Sequence, residues 1–323
     1  MGYVAGETIL DDEFNVFVAS SSDPYGFNHF AGTGATVYGL GQPAIPTVAG
    51  GTTTVAAAQW NSLLAGLDSI ANHTNDTMTA RTAVTAGDTI AIKSAVVADL
   101  ATLAASVAGG SVNATAISVG SELQSSRASG RFAGSHIVEH TVTFANANNM
   151  RFFFNAGGKI RVNLTRVANG GSSATSKDDS VDEMITAMGD FDIASIASTR
   201  SGTTETLTTD GLAIGFQDVT TSYQTVFLLT QANGTYTSMT LKGEIKGNAT
   251  AGSTTNVTIK MSLTDADSGD ILYTDGNVSS VDQFENFIGV TDFATKLILP
   301  TTAQGLDPVY TLSGSAETSN TTA

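Results

Sequence analysis

The chain has 323 residues, 14 Lys and Arg against 30 Asp and Glu, and a formal charge of −16. The acidic balance argues against a nucleic-acid partner, whose phosphates demand Lys and Arg, and the lack of Cys excludes disulfide frameworks and thiolate zinc sites. Only 14% of residues are charged while 47 are Thr, so much of the polar surface is Thr, Ser, Asn and Gln, and the length allows two or three domains with a sizeable core.

No apolar run reaches the roughly 18 residues that a membrane-spanning helix needs, so no membrane insertion is expected. The first residues, Met1-Gly2-Tyr3-Val4-Ala5-Gly6-Glu7, lack a basic start and an apolar run, and no signal peptide is expected. Residues 1–54 scatter Phe14, Phe17, Tyr25, Phe27, Phe30 and Tyr38 among glycines. They read as an irregular arm whose aromatic anchors suit either this chain's own core or a neighbouring subunit.

A helix is predicted over 55–72, where Trp60, Leu63, Leu64, Leu67 and Ile70 share one face, with Thr54 and Asn72 as caps. A second helix is predicted over 88–107, capped by Asp88 and stopped by Gly109-Gly110. Its Val96, Leu100, Leu103 and Val107 form either a plain amphipathic face or the seam of a short bundle between copies. Together these helices make a helical region at 55–110.

From about residue 135 the period changes to two. Val138, His140, Val142 and Phe144 alternate with polar residues, as do Ile160, Val162 and Leu164; Met239, Leu241 and Ile245; and Val257, Ile259, Met261 and Leu263. This is the pattern of antiparallel strands with one wet face. Asn169-Gly170, Asn233-Gly234 and Asp275-Gly276 read as turns. A short helix is predicted from Asp179 to Met188, and residues 281–299 hold a further apolar stretch with Phe284, Phe287, Ile288, Phe293, Leu297 and Leu299. The fold class expected is mainly β: an antiparallel β-sandwich over 132–312, preceded by the irregular arm and two α-helices. The last residues, 313–323, carry too little apolar surface to bury and are expected to be a flexible tail.

His136-Ile137-Val138-Glu139-His140 spells the H-x-x-E-H pattern of a metalloprotease, whose chemistry needs a helix. On a strand the two histidines lie roughly 13 Å apart, too far for one zinc ion with bonds of about 2 Å, and the β-branched surroundings favour the strand. Gly39-Leu40-Gly41-Gln42-Pro43-Ala44 matches a dinucleotide fingerprint only formally, since no helix follows. Asp265 to Asp270 resembles the start of a calcium loop but lacks its Gly and Glu positions, so a turn is the preferred reading and a weak calcium site the alternative. No catalytic, cofactor or metal residue is assigned.

Arg151-Phe152-Phe153-Phe154-Asn155-Ala156-Gly157-Gly158-Lys159-Ile160-Arg161 is the most distinctive segment. It reads as strand, tight turn, strand: either a buried central hairpin or one whose outer Phe face meets another subunit. This segment resembles the hallmark of a family of virion structural proteins from tailed, mainly marine, bacteriophages. The resemblance extends to Ala5–Asn15, Ala58–Leu64, Ala71-Asn72-His73 and Tyr223–Phe227, in that order along the chain.

The resemblance implies a structural component of a tail, baseplate or fibre, assembled in the host cytoplasm, located in the virion and without cofactor or catalytic residues. Partners would be further copies, in a homotrimer as is common for fibres, and other virion proteins. Phe14, Phe17, Tyr25 and Phe27 of the arm, Val96, Leu100 and Leu103 of the second helix, and Phe152, Phe153 and Phe154 are the expected subunit contacts. The alternatives are a capsid decoration or cement protein, and an adhesin that binds host-surface glycan through Tyr223, Tyr236 or Tyr273.

Overall fold

The alternating segments fold as strands of two antiparallel sheets that face each other across one apolar core. The computed structural model describes residues 11–22, 25–50, 55–88, 93–126, 134–167, 176–203, 206–231, 238–266 and 290–322. Among the described residues one sheet has five strands: β1 (Ile117–Ser126), β3 (Lys159–Val167), β4 (Phe191–Ile193), β5 (Ser198–Arg200) and β10 (Val290–Pro300), in the order β1-β10-β3-β4-β5. The other has six: β2 (Gly134–Phe144), β6 (Leu207–Asp210), β7 (Gln224–Thr230), β8 (Met239–Gly247), β9 (Asn256–Asp265) and β11 (Leu312–Thr322), in the order β11-β2-β9-β8-β7-β6.

Strand β2 shows why the sequence forms a sandwich. Its inward residues His136, Val138, His140, Val142 and Phe144 are buried, and the residues between them are only half-buried. Period two thus puts one face in the core and the other toward water. Phe191 of β4 meets Phe227 of β7 edge-on across the sheets, with ring centroids 5.0 Å apart.

A second core lies among the helices. Helix α1 (Asp11–Ala19) places Phe14 and Phe17 against Trp60 of α2 (Ala57–Thr74), at 6.3 and 6.0 Å between centroids. Helix α3 (Lys93–Ala108) adds Val96, Leu100, Leu103 and Val107 to the same core. The ends of these helices differ from expectation. Asn75 in the left-handed region closes α2, so Asn72 sits within its last turn. The Asp88 carboxylate instead accepts from the Thr85 amide and hydroxyl in a preceding turn.

Of the two surfaces open to the arm's aromatic residues, this chain's own core takes most of those expected as subunit contacts. Phe14, Phe17, Phe27, Val96, Leu100 and Leu103 are buried in this chain's own helical core, and Phe153 and Phe154 in the sandwich core. Phe152 is buried as well, its ring against Gly41 of the arm. These nine side chains therefore have no face left for a neighbouring subunit. Tyr25 alone of the expected contacts stays half-exposed, stacked on His29 and beside Tyr38.

Two further expectations are corrected. The hallmark is no hairpin: residues 147–155 form α4 (Ala147–Asn155), with the Asn146 side chain accepting from the Asn149 amide as its N-cap. Residues 150–155 of this helix are all buried, so it accommodates three consecutive Phe as well as a strand covered on both faces does. Of the tail expected at 313–323, residues 313–322 are not loose but belong to β11, which pairs along β2 from Leu312↔Phe144 to Thr322↔His136. An edge strand is held by its backbone hydrogen bonds, so its side chains can remain polar and exposed.

Helix α5 (Ser176–Met188) covers the expected 179–188 and begins slightly earlier. From the apolar stretch at 281–299, Phe293 and Leu297 enter the sandwich core on β10. Thr54, the three Asn-Gly and Asp-Gly turns, most of the calcium-like loop, Phe284, Phe287, Ile288, Tyr236 and Tyr273 lie outside the described residues. No helix among the described residues is long and apolar enough to cross a membrane.

Candidate functional site

The hallmark segment is a joint between the two cores. Arg151 and Asn155 are one helical turn apart on α4 and face the arm together. Arg151 Nη1 donates to the Tyr38 carbonyl at 2.6 Å, Nη2 donates to the Thr33 carbonyl, and the Asn155 amide donates to the Gly39 carbonyl at 3.1 Å. On its other side the Asn155 carbonyl oxygen accepts from Ser195 and Gln217. The arm presents these carbonyls because Gly39 and Gly41, at φ 101° and 72°, turn the backbone through conformations that L side chains resist.

His73 completes the joint from α2. Its Nε2 lies 2.9 Å from the Ala156 carbonyl and donates to it, and its own backbone carbonyl accepts from the Asn113 amide. Burial pushes the His73 pKa down, opposed in part by the bond to Ala156. Gly157 and Gly158 then reverse the chain into β3. A Cβ on Gly157 would lie 2.4 Å from Val112, and one on Gly158 2.6 Å from the Phe153 carbonyl oxygen. Below the joint Phe154 lies flat on Phe216, with centroids 4.4 Å apart and planes 8° from parallel.

A polar seam fills the sandwich where β1 and β11 flank it. His140 sits with Nε2 2.7 Å from Ser125 of β1 and Nδ1 2.7 Å from Thr295 of β10. His136 reaches Thr291 of β10 at 2.8 Å and Asn320 of β11 at 3.2 Å. Both histidines are therefore strand residues bonded to hydroxyls and an amide, as the β-branched surroundings predict. Burial lowers the His140 pKa, and the charge of Glu317 partly restores it. Among the described residues no group of His, Asp and Glu has the arrangement of a metal site.

Tyr223 lies on the outer face of the six-stranded sheet, with Lys246 and Lys260 ammonium groups 4.1 and 4.2 Å from its ring centroid. Glu244 accepts from Lys242 and Lys260, both at 2.7 Å. Burial and then the neighbouring Glu139 raise the Tyr223 pKa. Ammonium groups this close to the ring compete with a sugar for stacking on it.

A cleft of about 420 Å³ runs beside α5, lined by Asp179, Asp182, Glu183, Thr186, Thr203 and Thr206. Two of its carboxylates are engaged: Asp182 holds Arg166 and Glu183 accepts from Gln231.

Sequence reasoning found the joint as a distinctive string but not its partners. Carbonyls of an arm more than 110 residues away carry no sequence signature. Set against known proteins, the chain matches no family model, no curated protein and no solved structure.

Proposed function

We propose that this chain is a structural subunit of a tailed-bacteriophage virion, in its tail, baseplate or fibre, acting by assembly with copies of itself and with other virion proteins. One observation carries the reading: segments that share the resemblance meet in space, two by two. His73 bonds Ala156 of the hallmark, and Phe14 of the N-terminal segment packs on Trp60. The polar atoms of Arg151 and Asn155 are engaged in holding the arm to the sandwich. Side chains spent on joining two cores suit a building block that acts by assembly.

The test has two parts. Antibodies raised against the chain should label purified particles at one end of the tail. The recombinant chain should run as a trimer by light scattering after size exclusion. Label spread over the capsid would make it a decoration protein. Absence from purified particles would overturn the virion reading altogether.

A further inference from the structure

Lys177 and Asp265 are the most deeply buried oppositely charged pair among the described residues, with side chains 2% and 0% exposed. Lys177 lies in the first turn of α5, whose Val181 enters the sandwich core one turn later. Asp265 ends β9, in register with Met239 of β8 and Gly134 of β2. Leu263, two residues earlier on the same face, and Met239 belong to that core too. The Lys177 Nζ stands 2.7 Å from Asp265 Oδ2, between residues 88 positions apart in the chain.

An ion pair in such a place is a poor stabiliser. Desolvating both charges costs as much as their attraction returns, and apolar replacements are often no less stable. Lysine is also among the residues least often fully buried. Proximity, dryness and a fixed orientation are, by contrast, what amide formation between an amine and a carboxyl group requires. An amine hydrogen-bonded to a carboxyl oxygen lies about 3–3.5 Å from the carboxyl carbon, the separation of a near-attack pair.

We propose that Lys177 and Asp265 are joined by an intramolecular isopeptide bond that the chain forms on itself after folding. One proton passes along the hydrogen bond from the ammonium to the carboxylate, leaving a neutral amine and acid. The Nζ lone pair attacks Cγ, the Cγ–OH bond breaks, and the departing hydroxide takes a second proton from nitrogen. An uncharged amide and one water result, so atoms and charges balance without an oxidant or a co-reactant. The product removes both buried charges. It also ties α5 to β9 across a long loop, which restricts the unfolded chain in the way a disulfide does, in a protein that has no Cys.

The full chain, purified and then denatured, should have an intact mass lighter by one water than its sequence requires. Its tryptic digest should contain the Lys177 and Asp265 peptides as one branched species. Lys177→Arg keeps the positive charge but removes the amine, and should show the full sequence mass. A wild-type chain of full mass with separate peptides would overturn the proposal and leave a buried ion pair. The wild-type mass and the branched peptide decide together, even if the variant does not fold.

Discussion

Arg151 on α4 donates a 2.6 Å hydrogen bond to the backbone carbonyl of Tyr38, 113 residues earlier in the chain. The same guanidinium reaches the Thr33 carbonyl and Asn148 Oδ1, so one side chain fixes both ends of a bend in the arm. Hydrogen bonds from a charged donor contribute about 1.5–3 kcal/mol each, and a buried carbonyl left without its donor costs further. Arg151→Ala should therefore lower unfolding stability by about 3 kcal/mol or more and open the arm to protease near residues 33–38. Arg151→Lys should recover only part of the loss, because an ammonium cannot span both carbonyls. Urea denaturation and limited proteolysis read the two effects. An Arg151→Ala chain as stable and as resistant as the wild type would show that Arg151 does not hold the arm.

Stability should fall on mild acidification. Burial lowers the pKa of both His73 and His140 below the ordinary value of 6.5. The unfolded chain then takes up these protons before the folded chain does, so stability rises with pH through this range. The contribution of the neutral rings is complete above 6.5 and is lost as the pH falls through the lowered folded values. His140→Gln can still bond Ser125 and Thr295 but does not titrate. Its stability should change less than that of the wild type between about pH 7 and pH 5. Parallel slopes for the two proteins in thermal melts across that range would show that His140 does not contribute.

Much of the sandwich was legible because its strands have one dry and one wet face, as β2 and β9 do. Helix α2 was legible for the same reason at period 3.6. Helix α4 was not, because Phe152, Phe153 and Phe154 are buried on different sides of it and leave no period of either kind. Strand β11 was hidden because backbone pairing to β2 leaves no apolar mark in its side chains. The arm's aromatic residues announced burial but not against what, since a ring buries equally well in its own core or a neighbour's. Of the joint, the residues were visible and the geometry was not. Arg151 and Asn155 aim at carbonyls, which every residue possesses.

Gly157 and Gly305 separate backbone strain from crowding. Their φ angles are nearly equal, 83° and 84°, but a Cβ on Gly157 would lie 2.4 Å from Val112 whereas Gly305 has only Ser69 Oγ, at 3.9 Å. Gly305→Ala should cost about 1–2 kcal/mol, the penalty of the left-handed region alone. Gly157→Ala adds overpacking of about 1–3 kcal/mol and should also loosen the link from Val112 to β3. Chemical denaturation should rank wild type above Gly305→Ala and Gly305→Ala above Gly157→Ala. Equal losses for the two variants would mean that Val112 yields without cost.

Removing residues 312–323 tests whether the C-terminal strand is structural. The deletion strips β2 of its outer partner and takes away Asn320, which lies 3.2 Å from His136 Nε2. That single bond accounts for about 0.5–1.5 kcal/mol. The larger consequence is a newly exposed edge of eleven residues on β2. Unpaired edge strands recruit further chains. The truncated chain should keep its β-sheet circular dichroism, melt at a lower temperature and aggregate in proportion to concentration, where the full chain does not. A synthetic peptide of residues 312–322 should suppress that aggregation by refilling the edge, whereas a scrambled peptide of the same composition should not. If the truncated chain matches the full one in melting temperature and stays in solution, β11 contributes nothing to closing the sheet.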